Sequence, residues 1–237
     1  MPGAGGFGAI FPGMKSPAST LSLILVPALV TLAVSILRVY GELQGWNPSL
    51  YNREAGGGGA LVSITWLVLP IGFWIGYRMA KHSAVEVNLP IATATYAAAV
   101  ALFGGGMFAL IKLGWVDFPT DVDPGEAHGV GWMLGLGGVA LVVALLAWRR
   151  LTLTMILYGI LARLPVLVIT WLDLDRNWDT HYGEAPPGLI LNDESELIGA
   201  LITPQLTLWP LVFTPVVGGV LGCVGARLAL SQRGTSA

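Results

Sequence analysis

The chain has 237 residues and a formal net charge of −2, and 54% of its residues are hydrophobic while only 11% are charged. A soluble domain carries about 25% charged residues, so this composition excludes an ordinary water-soluble fold. No connector concentrates basic residues together with aromatic ones, so we expect no nucleic acid as a partner. The single cysteine, Cys223, excludes an intramolecular disulfide and has no partner for a zinc site.

Six long apolar stretches, separated by short polar connectors, predict an all-α fold. Each holds about 20 residues, the length that a helix needs to cross the hydrocarbon core of a bilayer. We expect a polytopic membrane protein, a six-transmembrane-helix bundle forming one integral membrane domain over 1–237. The predicted spans are 18–37, 60–77, 90–111, 129–148, 151–172 and 206–227. The first is longer than the core of a secretory signal, so we interpret it as an uncleaved helix.

The charges between the spans are sorted by side. Thirteen of the fourteen acidic residues lie in or beside the connectors that follow the first, third and fifth spans, and Glu86 is the exception. The opposite connectors and tails are basic, with Lys15, Arg78, Lys81, Arg149, Arg150, Arg227 and Arg233. Because basic loops stay in the cytoplasm, this sorting predicts a bacterial cytoplasmic (inner) membrane and places both termini in the cytoplasm.

Two connections carry further structural information. The fourth and fifth spans are joined only by Arg149 and Arg150, so we expect them to be antiparallel neighbours. Residues 195–229 are too long for one perpendicular span. They predict a short interfacial helix near 193–203, capped by Asn192 or Asp193, then a bend at Pro204 and the sixth span. One long tilted helix is the competing interpretation.

Small residues recur at helical spacing on three spans. Such rows let two helix backbones approach closely, and they serve packing within one chain or binding of a partner equally well. The rows are Gly72, Gly76 and Ala80; Gly131 and Gly135; and Gly218, Gly222 and Ala226. Six tryptophans near the outer boundary are interpreted as an anchoring belt: Trp46, Trp115, Trp132, Trp171, Trp178 and Trp209.

Arg163 is the candidate ligand-binding residue. It stands near the middle of the fifth span, where an arginine costs about 2.5–3.5 kcal/mol. Thr152, Gly159 and Thr170 share its helix face, so we expect this polar stripe to face the bundle interior. Either Arg163 holds an anionic ligand or a lipid phosphate in a cavity, or it is a structural arginine satisfied by carbonyls, hydroxyls and water.

Two residues near Arg163 in the predicted bundle bear on this choice. Pro165 leaves the carbonyl of Leu161 without its helical donor, so that carbonyl is one acceptor for the guanidinium. Gln205 is the next polar candidate for ligand binding, and its alternative role is that of an interfacial glutamine beside a proline bend.

The acidic connector after the fifth span resembles a calcium loop in its spacing of oxygen and imidazole side chains. Trp178 stands where such a loop has glycine, so a plain acidic loop is the preferred interpretation. The candidate calcium ligands are Asp173, Asp175, Asn177, Asp179 and Glu184. His128 and His181 are expected on the same side and would hold zinc if their loops folded together, although no spacing supports it.

Three functions remain open. The first choice is an accessory or scaffold subunit of a membrane complex, with other membrane subunits or a second copy as partners besides the bilayer. The second is a transporter or channel for a small solute, ion or lipid, using Arg163. The third is a membrane enzyme with an outer histidine and acidic site. No catalytic motif such as G-x-S-x-G occurs, so we lean against an enzyme and predict no cofactor.

Overall fold

The computed structural model describes residues 19–57 and 60–234. The predicted start of the first span at residue 18, Lys15 and the last three residues of the chain lie outside this described part. Within it the fold is helical, with two isolated β-bridges and no β-strand. The six α-helices are α1 Thr20–Leu43, α2 Ile64–His82, α3 Leu89–Lys112, α4 Val130–Arg176, α5 Glu194–Leu206 and α6 Thr214–Gly234.

Polar side chains at the helix starts explain several of these boundaries. The Ser19 hydroxyl accepts from the Ser22 amide at 3.2 Å, and the Asn88 side chain accepts from the Ile91 amide at 3.2 Å. Such caps satisfy amides that have no partner within the helix. At α5 the cap is Asp193, which accepts from the Glu196 amide at 3.0 Å. The Ser195 hydroxyl and this amide lower the pKa of the Asp193 carboxyl.

In the described chain, four helical stretches are long and apolar enough to cross a membrane by length and composition. They are Thr20–Leu43, Leu89–Lys112, Val130–Arg176 and the nearly continuous stretch Glu194–Arg233. The fold is therefore an all-helical bundle whose apolar helices fit a multi-pass membrane protein.

The 47 residues of α4 form two helical arms rather than one rod. Trp148 has a non-helical backbone (φ −159°, ψ 86°). Beyond it, the Thr152 hydroxyl donates to the Ala144 carbonyl at 2.7 Å. In a straight helix, residues eight positions apart would lie about 12 Å apart along the axis. The chain therefore turns back beside Arg149, as its sequence predicts, and the arms 130–147 and 149–176 are antiparallel.

The chain bends later than expected between α5 and α6. Pro204 lies inside α5, so the prediction of a bend at Pro204 is wrong. The helix first departs from α geometry at Thr207 (φ −116°, ψ −75°), and a π-helical turn over Leu208–Phe213 follows. Pro210 within this turn has no amide to donate to the preceding turn, which favours a local widening of the helix.

The predicted glycine rows of α2 and α6 pack against each other. A methyl group added at Gly72 would overlap the backbone of Gly218, and one added at Gly76 would overlap that of Gly222. This contact brings two helices together at backbone distance. In contrast, a methyl group added at Gly135 would meet nothing within 4 Å in the described chain.

The connectors gather at one end of the bundle, which we call the acidic end (residues 44–57, 60–63, 113–129 and 177–193). The amide of Gly125 donates to the Gly188 carbonyl at 3.0 Å, which ties the second connector to the third. Arg53 pairs with Asp179 at 3.1 Å, which ties the first connector to the third. These links hold the three connectors together over the helix ends.

We expect Gly76→Ala to destabilise the protein by about 1–3 kcal/mol, because its methyl group forces α2 and α6 apart. Gly135→Ala introduces the same methyl group on an open face. It should be neutral or stabilise the helix by up to about 1 kcal/mol. Thermal unfolding in detergent measures both changes, and equal effects of the two substitutions would contradict the assigned α2–α6 contact.

Candidate functional site

Arg163 is buried, with 7% of its surface exposed, on the second arm of α4. Its Nη1 donates to the side-chain oxygen of Gln205 at 2.8 Å, and the guanidinium lies over the ring of Trp209, 4.8 Å from the ring centre. Both partners belong to the α5–π segment rather than to its own helix, so the Leu161 carbonyl is not its acceptor. Gln205 is a neutral partner, and among the described residues no carboxylate lies within ion-pair distance of Arg163.

A cavity of about 410 Å³ lies beside Arg163, at the acidic end. This volume falls in the range of about 300–1,000 Å³ that is typical of small-molecule sites. Its apolar lining includes Val62, Ile64, Val166, Leu201, Leu208 and Trp209. Its polar lining comprises Arg38, Ser63, Thr65, Arg163, Thr170, His181, Tyr182, Glu184 and Gln205. A ligand here would meet several hydrogen-bond donors on an otherwise apolar surface.

The predicted polar stripe is buried, but its members are divided between two places. Thr170 and Arg163 line the cavity together with Gln205. Thr152 precedes Arg163 by eleven residues, which places it about 16 Å away along the arm, toward Trp148. There its hydroxyl bonds to the Tyr96 hydroxyl at 2.7 Å. The structure therefore brings three of the four predicted ligand-binding residues to one cavity and uses Thr152 in helix packing.

A second buried cation, Arg38, was not singled out from the sequence. It is 3% exposed near the end of α1, and its Nε donates to the carboxylate of Glu42 one turn later. Its Nη1 donates to the Val62 carbonyl at 2.7 Å, and its Nη2 donates to the carbonyl of Asn52. Arg38 is therefore satisfied by the protein and fixes the connector between α1 and α2.

Glu42 is 1% exposed and holds His181 from the third connector. The His181 amide donates to one carboxylate oxygen at 3.0 Å, and its ring Nδ1 lies 2.7 and 2.9 Å from the two oxygens. A carboxylate in this position favours the tautomer with hydrogen on Nδ1. The ring lines the cavity, so Nε2 is the nitrogen left for a ligand.

Tyr182 packs against the His181 ring and stays a neutral phenol. Burial, and then the carboxylate of Glu42, raise the pKa of Tyr182, while Arg38 and Arg163 act in the opposite direction. One phenol therefore feels the charges of Glu42, Arg38 and Arg163.

The candidate calcium ligands have separate partners. Asp173 is buried and accepts from the Thr180 hydroxyl at 2.6 Å. Asp179 pairs with Arg53 and Asp175 pairs with Arg176. Asn177 ends α4 in a left-handed conformation, and Glu184 lines the cavity. Across residues 19–57 and 60–234, no group of three or more His, Cys, Asp or Glu side chains is placed to hold a metal.

The two candidate zinc histidines have different surroundings. His128 forms an isolated β-bridge with Asp117 through backbone bonds of 3.0 and 3.1 Å, whereas His181 lines the cavity and bonds to Glu42. Calcium and zinc binding stay predictions, and the arrangement of the described side chains lends them no support.

The guanidinium of Arg163, which has no carboxylate partner among the described residues, is the group of this cavity that is chemically suited to an anion. Sequence reasoning missed Arg38, Glu42 and Tyr182. The spacing of Arg38 and Glu42, four residues apart at a helix end, is typical of a helical ion pair and was the available signal. No protein-family model, curated protein or solved structure matches this chain.

We expect Glu42→Gln to destabilise the protein by about 3–5 kcal/mol, because it leaves the buried Arg38 without its counter-ion. For a chain of this size that loss lowers the unfolding midpoint by on the order of 10 °C. The matched control is Asp175→Asn, which breaks an exposed pair and should change stability by less than about 1 kcal/mol. Thermal unfolding in detergent provides the comparison, and a neutral Glu42→Gln would show that the cluster is not structural.

Proposed function

We propose that the protein is a multi-pass membrane protein that binds an anionic ligand in the cavity around Arg163. The observation that carries the proposal is a buried guanidinium that lines a cavity and has only a neutral hydrogen-bond partner. Charged donors bind phosphate and carboxylate groups more strongly than neutral donors do. An anion in the cavity would supply the charge that Gln205 does not.

The alternative, a purely structural arginine, fits Arg38 better than Arg163. Arg38 has a carboxylate partner and carbonyl acceptors from the connector. Arg163 makes one hydrogen bond with the described residues, although its guanidinium has five N–H groups. A polar group of this kind in an apolar setting costs free energy until its remaining donors are satisfied. This difference supports ligand binding at Arg163.

The shape of the lining supports a ligand with both an anionic and an apolar part. Leu201, Leu208 and Trp209 line the cavity beside Arg163 and Thr170. A lipid headgroup with its first methylene groups and a small organic anion share this chemistry. Metal ligands are not part of the proposal.

The proposed topology has six crossings, with the acidic end outside the cytoplasmic membrane. The two arms of α4 supply separate crossings because the chain reverses at Trp148. Helix α2 has 19 residues and a length of about 28 Å, close to the hydrocarbon thickness of about 30 Å. The stretch Glu194–Arg233 would be about 60 Å long, twice that thickness. We therefore place α5, which has no buried residue, along the interface.

Transport is one use of such a site. Transporters bind their ligands beside interrupted helices, where helix ends and free backbone groups meet the ligand. Here the interruption at Thr207–Phe213 adjoins the cavity through Leu208 and Trp209. This is the observation that favours a carrier for the anion over a passive lipid site.

An accessory subunit is the second candidate function, and one observation favours it. Gly104, Gly105, Gly131 and Gly135 lie on α3 and the first arm of α4, and added methyl groups there meet nothing in the described chain. Open small-residue surfaces are suited to a partner helix. The rows on α2 and α6, however, are already occupied by each other. A fixed partner retained through purification in mild detergent would favour this second function.

We expect Arg163→Met to weaken anion binding about 10- to 100-fold, since a charged hydrogen bond contributes about 1.5–3 kcal/mol. The probes are inorganic phosphate and dihexanoyl phosphatidylglycerol, titrated calorimetrically into the full chain in neutral detergent. Arg176→Met removes an exposed arginine at the end of the same arm and should leave binding unchanged. Wild-type protein that binds neither probe, or equal binding by Arg163→Met, would refute the proposed function.

The topology predicts which residues a membrane-impermeant maleimide reaches in intact cells. On a Cys223→Ser background, Asp121→Cys and Asp179→Cys should be labelled from outside, because both belong to the acidic end. Arg149→Cys, at the exposed reversal of α4, should be labelled only after permeabilisation. Labelling of all three from the same side would overturn the six-crossing arrangement.

A further inference from the structure

The cavity has a second chemical feature besides the guanidinium of Arg163. His181 lines it, and the ring nitrogen Nδ1 of His181 is held by the fully buried carboxylate of Glu42. A histidine whose second nitrogen is oriented by a carboxylate is a recurring arrangement in general-base catalysis. Anion binding alone does not need this pairing.

The pairing leaves the other ring nitrogen in a reactive state. With hydrogen on Nδ1, the Nε2 atom carries a lone pair and accepts a proton. The described residues make no hydrogen bond to Nε2. Gly57 lies along this edge of the ring, where a methyl group would stand 3.7 Å from Nε2, and its φ of +82° disfavours any other residue. The backbone of Gly57 therefore lies beside this edge of the ring without occupying the hydrogen-bonding position of Nε2.

The other ionisable groups near the cavity do not replace His181 as the base. Glu42 uses its oxygens on Arg38 and on His181 itself. Burial and Glu42 raise the pKa of Tyr182, so its phenol keeps its proton. Glu184 is exposed, Asp179 pairs with Arg53 and Asp173 accepts from Thr180. His181 is left as the candidate base, and it lines the same cavity as Arg163.

We propose that this cavity is a hydrolytic site for phosphate esters, in which Arg163 binds the phosphate and His181 is the general base. The inference rests on the proposed anion binding and names the substrate class and the reaction. Arginine suits this role because its planar N–H groups match the oxygens of a phosphate group. Its positive charge also stabilises the negative charge that develops on those oxygens during attack.

The reaction balances with water as the only co-reactant. Nε2 of His181 takes one proton from a water molecule while the water oxygen forms a bond to phosphorus. The bond between phosphorus and the ester oxygen breaks, and that oxygen leaves with its electron pair. A water molecule on the opposite side of phosphorus protonates the leaving oxygen, and the imidazolium gives its proton from Nε2 back to solvent, so the products are an alcohol and a phosphate. Glu42 stabilises the imidazolium in between and keeps its own charge.

The test uses full-length protein in phosphatidylcholine nanodiscs with 4-nitrophenyl phosphate and bis(4-nitrophenyl) phosphate as probes. The wild type should release 4-nitrophenolate from at least one of them. His181→Asn should lower the rate at least about 100-fold, since a general base contributes about 10²- to 10⁴-fold. The asparagine amide can still donate to Glu42. The matched control is His128→Asn, which removes a histidine outside the cavity. It should leave the rate unchanged.

Calorimetry with inorganic phosphate separates this inference from the function on which it rests. Wild-type protein that binds phosphate but hydrolyses neither probe would overturn the hydrolytic site and leave anion binding intact. Unchanged turnover in His181→Asn, or turnover of 4-nitrophenyl acetate alone, would also overturn it. If phosphate does not bind at all, both proposals fail. Should His181→Asn not fold, a wild-type rate that is unchanged in D₂O would count against proton transfer by a base.

Discussion

Burial of charge is the constraint on which this structure depends. Of the side chains in the described part, the buried charged ones are Arg38, Glu42, Arg163 and Asp173. A charge taken out of water costs several kcal/mol unless opposite charge and hydrogen bonds replace its hydration. All four stand at helix turns close to the acidic end or facing its cavity. The connectors supply partners to Arg38, Glu42 and Asp173, so the placement of these three charges depends on how the connectors fold. The partners of Arg163 come from the α5–π segment instead.

The helix packing makes this concentration of polar groups possible. Helices α2 and α6 meet through glycine backbones at Gly72, Gly76 and their partners, and this contact needs no polar side chain. The rest of the bundle interior is closed by Leu151, Met155 and other fully buried apolar residues. The polar side chains inside it bond to one another or to helix carbonyls, as Thr31 does with the Tyr158 hydroxyl of another helix at 2.9 Å and with the Pro27 carbonyl. At the acidic end, by contrast, the α5–π segment interrupts regular helix packing. The cavity and the N–H groups of Arg163 that have no partner among the described residues lie there.

Local features of the fold could be predicted from sequence because their causes are local. Apolar runs of helical length predict the helices, Asp193 predicts the cap of α5, and Arg149 with Arg150 predicts the reversal in α4. The bend after α5 was misplaced by three residues, because Pro204 in the last turn of a short exposed helix resembles a break. The interruption depends on Pro210 and the neighbouring packing, including the close approach of Gly159 to Pro210.

Only part of the candidate site could be predicted from the sequence, because its contacts join residues that are far apart in the chain. Arg163 stands out in an apolar helix, but its partners Gln205 and Trp209 lie 42 and 46 residues further along the chain. Trp209 was interpreted as a membrane anchor, since a tryptophan near a boundary is usually one. The bond between Glu42 and His181 spans 139 residues. Contacts of this range follow from how the connectors fold together, and no spacing in the sequence encodes them.

The two buried arginines show how structure and function divide between similar side chains. Arg38 has a carboxylate one turn away and carbonyls from the adjoining connector, so its charge and its donors are both satisfied. Replacing such a residue would unfold a connector without informing on any ligand. Arg163 has an amide oxygen and an aromatic face, which fix its direction and leave its charge and most of its donors unsatisfied. An orienting but incomplete environment is what a binding residue needs, because the ligand then supplies the missing interactions.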